Sequence, residues 1–176
     1  MNEEKTIESE QIYKGKVVQL RVDTVSLPDR RTKIREIVVH PGAAAIVPLM
    51  NDAEDKEVLL VEQYRKAVES KTLEIPAGTL EEGESPEECA KRELIEETGF
   101  QASKLDKLME FYPSPGFSSE IIHIFKASGL KKVSNAEAEL PIKFVELNEL
   151  LTKIRNGEIR DGKTVIGVLM VWSKIR

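Results

Sequence analysis

Short apolar runs rich in Val and Ile recur along the chain and predict β-strands. The runs lie at 16–27, 33–40, 43–50, 57–64, 105–112, 120–125 and 141–147. Clusters of turn-forming residues at 28–30 and 51–53 separate the early runs, as is typical between neighbouring strands. We therefore expect strands at these positions.

Two segments near the C-terminal end have helical spacing instead. The first covers 146–156 and the second covers 164–175, and each places apolar residues along one stripe. The stripe residues are Leu147, Leu150, Leu151 and Ile154 in the first segment and Ile166, Leu169 and Met170 in the second. We expect each stripe to pack against another element.

The strongest local signals for a helix bound the segment 86–98. Ser85 is a good N-cap, and Glu88 follows it at the capping-box distance. Pro86 suits the first turn, where its missing N–H costs nothing, and Gly99 is the usual terminator. The sequence therefore predicts a helix with defined ends.

The composition indicates one globular domain with an acidic balance. The chain has 176 residues, 40% of them apolar, and a net charge of −5 from 26 Lys and Arg against 31 Asp and Glu. A chain of this length buries a sizeable core. It lacks the basic surface that dominates affinity for a nucleic-acid backbone, so we expect no nucleic-acid partner.

Cysteine and histidine counts limit the chemistry further. Cys89 is the single cysteine, which excludes an internal disulfide framework and a multi-cysteine zinc cluster. With His40 and His123 as the two histidines, a three-histidine metal site within one chain is also excluded. The longest apolar stretch, 43–50, is too short to span a bilayer, and residues 1–5 are unlike a signal peptide. We expect a cytoplasmic protein with no membrane partner.

Three glutamates converge on one face of the predicted helix. At 100° per residue, Glu93 and Glu97 lie one turn apart and Glu96 lies beside them. Like charges at this spacing destabilise a helix, and a divalent cation removes the repulsion. Carboxylate oxygens suit Mg²⁺, and Mn²⁺ as well. The alternative is a solvated acidic face with no ligand.

The segment that contains this helix resembles an unbroken Nudix box. The matching residues are Gly78, Glu84 after five residues and, seven residues later, Arg92-Glu93-Leu94-Ile95-Glu96-Glu97-Thr98-Gly99-Phe100. The resemblance implies an α/β/α sandwich with a mixed sheet, on which the box packs as loop, helix and loop. It also implies hydrolysis of a nucleoside diphosphate linked to another group, with Mg²⁺ or a similar cation.

The resemblance assigns roles to residues of the box. Glu93 and Glu97 would be metal ligands, and Glu96 would contribute to the same cluster as a catalytic residue. Arg92, the other catalytic residue within the box, would hold a glutamate of the box in place, with Glu84 as the candidate partner.

Residues outside the box resemble the ADP-ribose pyrophosphatase branch of the Nudix enzymes. In that branch the alanine that matches Ala77 offers its carbonyl to a metal, and the arginine that matches Arg65 binds substrate phosphates, as an arginine fork does well. Glu74, Pro115 and Gly116 match further substrate-binding positions. The alternative for Pro115 and Gly116 is an ordinary turn. The likeness lies in residues 62–65, 73–78 and 111–120.

Two N-terminal segments also resemble this branch, 11–18 and 35–42. Family members use an N-terminal antiparallel sheet to embrace a second subunit, so we expect a homodimer. Arg35 and Glu36 would contact substrate across the subunits, or would form an ordinary exposed pair. The expected division is a β extension over 1–42, used in dimerisation, and a Nudix domain over 43–176.

The acidic loop that supplies the general base in this branch is thinner here. The corresponding stretch, 133–141, keeps Glu137 and Glu139, with alanines between the acids. If neither reaches the reactive water, Glu120 or a box glutamate would serve as base. Loss of a general base lowers the catalytic rate by about 10²- to 10⁴-fold.

The sequence thus predicts Mg²⁺-dependent hydrolysis of ADP-ribose to AMP and ribose 5-phosphate. The alternatives are another nucleotide sugar such as GDP-mannose, since the box contacts the pyrophosphate and not the base, and a weakly catalytic module that senses ADP-ribose. Cys89, His40, His123 and Trp172 are interpreted as structural residues.

Overall fold

The computed structural model describes residues 3–50, 56–134 and 136–175, which fall into two compact units. The first unit holds the residues up to Gly42 together with Tyr112–Ile121, and the second holds Ala43–Phe111 and the residues from Ile122 on. The predicted turn at 51–53 lies outside the described residues.

The first unit is built on a three-stranded antiparallel sheet in the order β1-β2-β3. Its strands are β1 (Lys5–Lys14), β2 (Gln19–Ser26) and β3 (Thr32–Val39). The runs at 16–27 and 33–40 predicted β2 and β3. No run predicted β1, because all ten of its residues are exposed and alternation between buried and exposed positions is absent.

The second unit contains the remaining elements. Its strands are β4 (Ala43–Pro48), β5 (Glu57–Arg65), β6 (Ser70–Glu74), β7 (Ala77–Thr79), β8 (Phe100–Phe111), β9 (Ile122–Lys132) and β10 (Ile142–Glu146). Its helices are α1 (Pro86–Thr98), α2 (Leu147–Arg155) and α3 (Gly162–Ile175), with a 3₁₀ turn at Lys66–Val68. Five of these strands match predicted runs with shifted ends, whereas β6 and β7 were not predicted, being short and poor in Val and Ile.

Two sheets form the second unit. One has the order β7-β4-β9-β8 and is mixed, since β4 pairs with β9 in parallel and the other pairs are antiparallel. The other has the antiparallel order β10-β5-β6. These sheets and helices confirm the predicted α/β fold with a mixed sheet, a box helix and an N-terminal antiparallel sheet.

The mixed sheet separates two apolar clusters. Alternation along β4 sends Ala44 and Ile46 to one side, where they pack with Ala90 and Leu94 of α1. The neighbouring residues of β4 join a larger cluster with α2 and α3 on the other side. The box helix therefore has a packed face, and its acidic residues lie beside that face.

The predicted apolar stripe is confirmed for α2 and holds only in part for α3, where Ile166 packs against the larger cluster. Leu147, Leu150 and Leu151 of α2 are buried. In α3, Val168 and Val171 are buried, whereas Leu169 is 41% exposed. Because α3 is apolar almost all round, the spacing of its apolar residues fits more than one face, and close packing at Gly167 decides which face is buried.

Gly167 shows why that face is chosen. A Cβ atom at this position would lie 2.8 Å from Cγ2 of Val47 and 3.2 Å from Cδ1 of Ile75. The bare backbone of α3 thus approaches the sheet more closely than a side chain would allow.

None of the helices in the described residues has the length and apolar composition that a membrane span requires.

Candidate active site

Helix α1 has the ends that its sequence predicts. The Ser85 hydroxyl accepts a hydrogen bond from the Glu88 N–H at 3.3 Å, and the Glu88 carboxylate accepts one from the Ser85 N–H at 2.9 Å. Gly99 adopts a positive φ of 73°, and its N–H donates to the Ile95 carbonyl. These caps fix where α1 begins and ends, and so fix where its glutamates project.

Arg92 connects the loop before α1 to the acidic face. Its Nε and Nη2 donate to the two carboxylate oxygens of Glu84 at 2.8 and 2.9 Å. Its Nη1 donates to Glu93 at 2.6 Å and to Glu96 at 3.0 Å. The hydrogen bonds from Arg92 lower the pKa of Glu84 to about 2. The contact proposed from the sequence between Arg92 and Glu84 is therefore present.

Glu93 lies against the backbone of β7. A Cβ atom at Gly78 would lie 1.9 Å from Oε1 of Glu93, so the carboxylate occupies the place of a side chain. Burial raises the pKa of Glu93, while the hydrogen bond from Arg92 opposes the rise. Gly78 is thus required for the position of this carboxylate.

Glu97 lies one turn further along the same face. Its Oε2 accepts a hydrogen bond at 3.0 Å from the N–H of Ala77, the first residue of β7. Burial raises the pKa of Glu97 to about 7, and the charge of Glu93 adds to the rise. Ionising Glu93 and Glu97 together is therefore unfavourable unless a further positive charge lies nearby.

This part of the chain offers oxygen ligands to a divalent cation. Carboxylate and carbonyl oxygens are hard ligands that Mg²⁺ takes together with water and phosphate. Among the residues that the structure describes, no group of three or more His, Cys, Asp or Glu side chains could hold a metal ion. Glu96 is 46% exposed and pairs with Arg92. The arrangement fits a cation bound by Glu93 and Glu97 and completed by oxygens that are not side chains.

A second charged assembly lies at the end of β6. Glu74 is buried, at 2% exposure, and accepts hydrogen bonds at 2.8 Å from both Nε and Nη2 of Arg65. It also accepts from the hydroxyl of Thr72 at 2.6 Å and from Nζ of Lys163. Burial would raise the pKa of Glu74, but the hydrogen bonds and charges of Arg65 and Lys163 outweigh burial and lower it to about 2.

The sequence interpretation missed the contribution of α3 to this assembly. Lys163 donates to Asp161 at 3.0 Å as well as to Glu74. The carboxylate of Asp161 caps the helix by accepting hydrogen bonds from the N–H and the hydroxyl of Thr164. Asp161 is a good N-cap residue, so the capping pattern could have placed the start of α3 before 164. The contact with Glu74, which is distant in sequence, carries no local signal.

The thinned acidic loop is attached to the end of α1 by its backbone. The N–H groups of Glu139 and Leu140 donate to the carbonyls of Glu96 and Glu97 at 3.1 and 3.4 Å. The side chains of Glu137 and Glu139 are exposed. The structure therefore brings this loop to the acidic helix, and the role of its two glutamates stays a prediction.

The other predicted substrate-binding residues belong to the first unit. Arg35 forms an ion pair with Glu4 at 2.5 Å, and Glu36 is exposed. Pro115 and Gly116 are exposed in a turn closed by the N–H of Ser118, which donates to the Ser114 carbonyl at 2.9 Å. Their part in binding stays a prediction.

The residues interpreted as structural have buried or half-buried surroundings. Cys89 is fully buried, and burial raises the pKa of its thiol to about 12. His123 Nδ1 lies 3.1 Å from Glu110 Oε2, outside hydrogen-bonding geometry. His40 accepts from the N–H of Gly42 at 3.1 Å, and Trp172 packs at the edge of the larger apolar cluster.

Comparison with known proteins places the chain in a family. Residues 39–165 match the NUDIX domain, and residues 4–38 match the nucleoside diphosphate sugar hydrolase N-terminal domain. The chain is 48% identical to the methanol dehydrogenase activator of Bacillus methanolicus and 43% identical to the ADP-ribose pyrophosphatase of Bacillus subtilis (strain 168). Each match covers 94% of this chain and 91% of the relative.

A solved structure shares the fold. The crystal structure of an ADP compounds hydrolase superposes with a TM-score of 0.85 and 21% identity, over 99% of this chain and 95% of the other. With the box residues arranged on α1 and the NUDIX match covering most of the chain, the protein belongs to the Nudix family of hydrolases.

Proposed function

We propose that this Nudix hydrolase cleaves the pyrophosphate bond of ADP-ribose to give AMP and ribose 5-phosphate, with Mg²⁺ as its cation. The observation that carries the proposal is the juxtaposition of Glu97 with the backbone of Ala77, beside the assembly of Arg65 and Glu74. The relative from Bacillus subtilis named ADP-ribose pyrophosphatase supports the choice of substrate.

The residues of α1 and β7 would hold the cation. Glu93, Glu97 and the carbonyl of Ala77 are the ligands proposed, and Arg92 keeps Glu93 and Glu84 in place. When bound, the cation neutralises the diphosphate charge and lowers the pKa of water. Glu93 rests on Gly78, so its carboxylate keeps one orientation before substrate arrives.

Arg65 would bind the substrate phosphates. Its Nε and Nη2 are held by Glu74, so the guanidinium plane is fixed before substrate binds. Fixing an arginine in advance removes much of the entropy that a flexible side chain loses on binding. Glu74 thus contributes to substrate binding by orienting Arg65.

The proton from the attacking water requires a base. We assign this role to Glu137 or Glu139, with Glu96 as a further catalytic carboxylate, because the loop that carries the first two is bonded to the end of α1. Replacing each in turn by Gln tests the assignment. The base is the residue whose loss lowers kcat by about 10²-fold or more and flattens the acid limb of the pH profile.

Incubation of the purified chain with ADP-ribose and Mg²⁺ tests the activity. We expect AMP and ribose 5-phosphate in equal amounts by chromatography, and no product when EDTA replaces Mg²⁺. Absence of AMP at micromolar protein would overturn the proposal. Calorimetry on the same sample separates a weakly catalytic sensor, which binds ADP-ribose tightly and releases negligible product.

The nucleobase is the part of the substrate that the proposed contacts select least. The residues of α1, β6 and β7 described above would meet the pyrophosphate and not the nucleobase. ADP-ribose and GDP-mannose supplied together at equal concentration measure the preference directly. A larger kcat/KM for GDP-mannose would replace ADP-ribose in the proposal.

A second candidate function is activation of another enzyme, which the name of the Bacillus methanolicus relative favours. Turnover of ADP-ribose by the purified chain alone favours hydrolysis as the primary activity. A chain that turns over no nucleotide sugar but raises the rate of an added dehydrogenase would favour activation.

We further propose a homodimer formed through the N-terminal extension over 1–42, with 43–176 as the Nudix domain. In support, Tyr13 and Ile34 are each 58% exposed and lie on one face of the first sheet by strand register. Apolar side chains exposed together on one face support an interface there. Sedimentation should give twice the chain mass, and Ile34→Lys should shift the protein toward monomer. A monomer across the micromolar range contradicts the proposal.

A further inference from the structure

The short segment from Glu74 to Ala77 joins the two charged assemblies of the second unit. Each of its four residues makes a hydrogen bond to a residue outside the segment. The contacts are Glu74 with Arg65 and Lys163, the Ile75 N–H with Thr164, the Pro76 carbonyl with the N–H of Ile46, and the Ala77 N–H with Glu97. A shift of this segment would therefore move the backbone at Ala77 relative to α1.

Thr164 holds this segment from the first turn of α3. Its Oγ1 accepts a hydrogen bond from the Ile75 N–H at 2.9 Å and donates one to Asp161 Oδ2 at 2.6 Å. Thr164 and Ile75 are both 0% exposed, so bulk water has no access to replace the hydroxyl. A buried N–H without an acceptor is strongly disfavoured, and the backbone would move to find one.

The direction of the second hydrogen bond makes the arrangement specific. Asp161 accepts from both the hydroxyl and the N–H of Thr164, so the hydroxyl proton points to Asp161 and the oxygen lone pair points to Ile75. The same carboxylate also holds Lys163. The start of α3 thus fixes the backbone of Ile75 through Thr164. It also fixes the side chain of Lys163, which reaches Glu74.

We propose that Thr164 is a positioning residue of the hydrolytic site: its hydroxyl fixes Ile75 and thereby sets Ala77 against Glu97. This inference rests on the proposed function, in which Ala77 and Glu97 are cation ligands. Thr164 contacts Ile75, which lies two residues before Ala77, and is not one of the proposed ligands of substrate or cation. Its loss acts on cation binding and on kcat. The Glu74 carboxylate keeps its bonds to Arg65, Thr72 and Lys163, so the binding of substrate by Arg65 changes less.

The experiment compares Thr164→Val with Thr164→Ser. Valine keeps the shape and removes the hydroxyl, whereas serine keeps the hydroxyl and removes the methyl group. Mn²⁺ binding is measured without substrate by the loss of the free-ion EPR signal, and kcat and KM are measured with ADP-ribose. For Thr164→Val we expect Mn²⁺ affinity and kcat each to fall about tenfold, the usual effect of removing an outer hydrogen-bond partner. KM should change less than about twofold, and Thr164→Ser should restore both values.

A control and a second variant separate positioning from stability. Thr152→Val in α2 removes a helix hydroxyl that donates to the Asn148 carbonyl, and should leave Mn²⁺ binding and kcat unchanged. All measurements are made well below the Tm of each variant. If Thr164→Val does not fold, Thr164→Ala takes its place, because it also removes the hydroxyl and puts no methyl group where the hydroxyl meets the Asp161 carboxylate.

Two results would overturn the inference. One is a valine variant, or its alanine replacement, with lowered Tm but wild-type Mn²⁺ affinity and kcat. The other is a serine variant as impaired as the valine variant. Failure of the proposed function is a different result, in which the wild type binds Mn²⁺ but releases no AMP; the Mn²⁺ comparison between variants still tests the positioning role.

Discussion

Glu74, which is buried, and Glu97, which is half-buried, are two carboxylates of the same unit with opposite electrostatics. Glu74, at the end of β6, is surrounded by Arg65, Lys163 and Thr72, and its pKa lies at about 2. Glu97, on α1, accepts from the Ala77 N–H, and burial together with the charge of Glu93 raises its pKa to about 7. Burial acts on both groups in the same direction, so the cations around them make the difference.

The difference shows which charges the chain supplies for itself. Glu74 has an arginine and a lysine from the same chain within hydrogen-bonding distance, and it stays ionised in a buried place. The charges of Lys163 and Arg65 lower the pKa of Glu97 by less than burial raises it. A carboxylate left in this condition is suited to a positive charge that arrives from solution. Glu74 is thus neutralised by the chain itself, whereas Glu97 is the carboxylate that the proposed function assigns to the cation.

Glu97→Gln should give the largest effect on activity. We expect turnover of ADP-ribose to fall on the order of 10³-fold, because several kcal/mol of cation-dependent stabilisation are lost. In EDTA at pH 8 the Tm should rise, since the substitution removes a charge whose burial is unfavourable. Glu87→Gln, on the exposed side of α1 with Lys91, is the matched control and should change neither quantity. Unchanged turnover in Glu97→Gln would place the cation elsewhere.

Glu74→Gln should have the opposite effect on stability. It leaves Arg65 and Lys163 without their carboxylate, and breaking a buried ion pair in this way costs about 3 to 4 kcal/mol. Urea unfolding at pH 7 measures the loss. Glu62→Gln, in the more exposed cluster with Lys71 and Lys143, is the control and should cost less than about 1 kcal/mol. If Glu74→Gln lost no more stability than Glu62→Gln, the buried partners of Glu74 would contribute nothing special. The contrast with Glu97 would then fail.

The acid limb of stability should depend on Glu74. Its folded-state pKa of about 2 lies below the ordinary value of 4.5, so its contribution is present above pH 4.5 and is lost as the pH falls toward 2. The shift corresponds to roughly 3 kcal/mol. Urea midpoints of wild type and Glu74→Gln from pH 5 to pH 2 should therefore converge. Parallel curves across this range would contradict the lowered pKa.

Cys89 gives the smallest expected effect. Its thiol lies 3.5 Å from Nη2 of Arg92 and 3.6 Å from the Gly78 carbonyl, and burial raises its pKa to about 12. Cys89→Ala should cost about 1 kcal/mol of stability and leave kcat within about twofold. A thiol reagent at pH 8 should label the folded wild type only as fast as it unfolds. Rapid labelling would show that the thiol is accessible and ionised.

The parts of the fold predicted well are those with local chemistry. Helix α1 has the predicted bounds because Ser85, Pro86, Glu88 and Gly99 act within a few residues of its ends. Strand β1 was missed because no face of it is buried. The stripe on α3 was partly misplaced because the close approach at Gly167 depends on Val47 and Ile75, which are distant in sequence.

The candidate site divides in the same way. The spacing of Glu93 and Glu97 on one helix face, and the likeness of Arg65 and Ala77 to a known family, could be read from the sequence. The contacts of Glu74 with Lys163 and of Ile75 with Thr164 could not, since both partners lie near the other end of the chain. Contacts between residues about 90 positions apart depend on tertiary packing, and no local pattern encodes them.

The acidic loop is attached to α1 by the N–H groups of Glu139 and Leu140. Main-chain bonds of this kind persist when side chains are exchanged. Glu137 and Ala138 can therefore vary between related proteins while the loop remains docked at the carbonyls of Glu96 and Glu97. Such an arrangement allows the side chains of this loop to be exchanged while the loop keeps its position on the helix, which makes it an evolvable part of the protein.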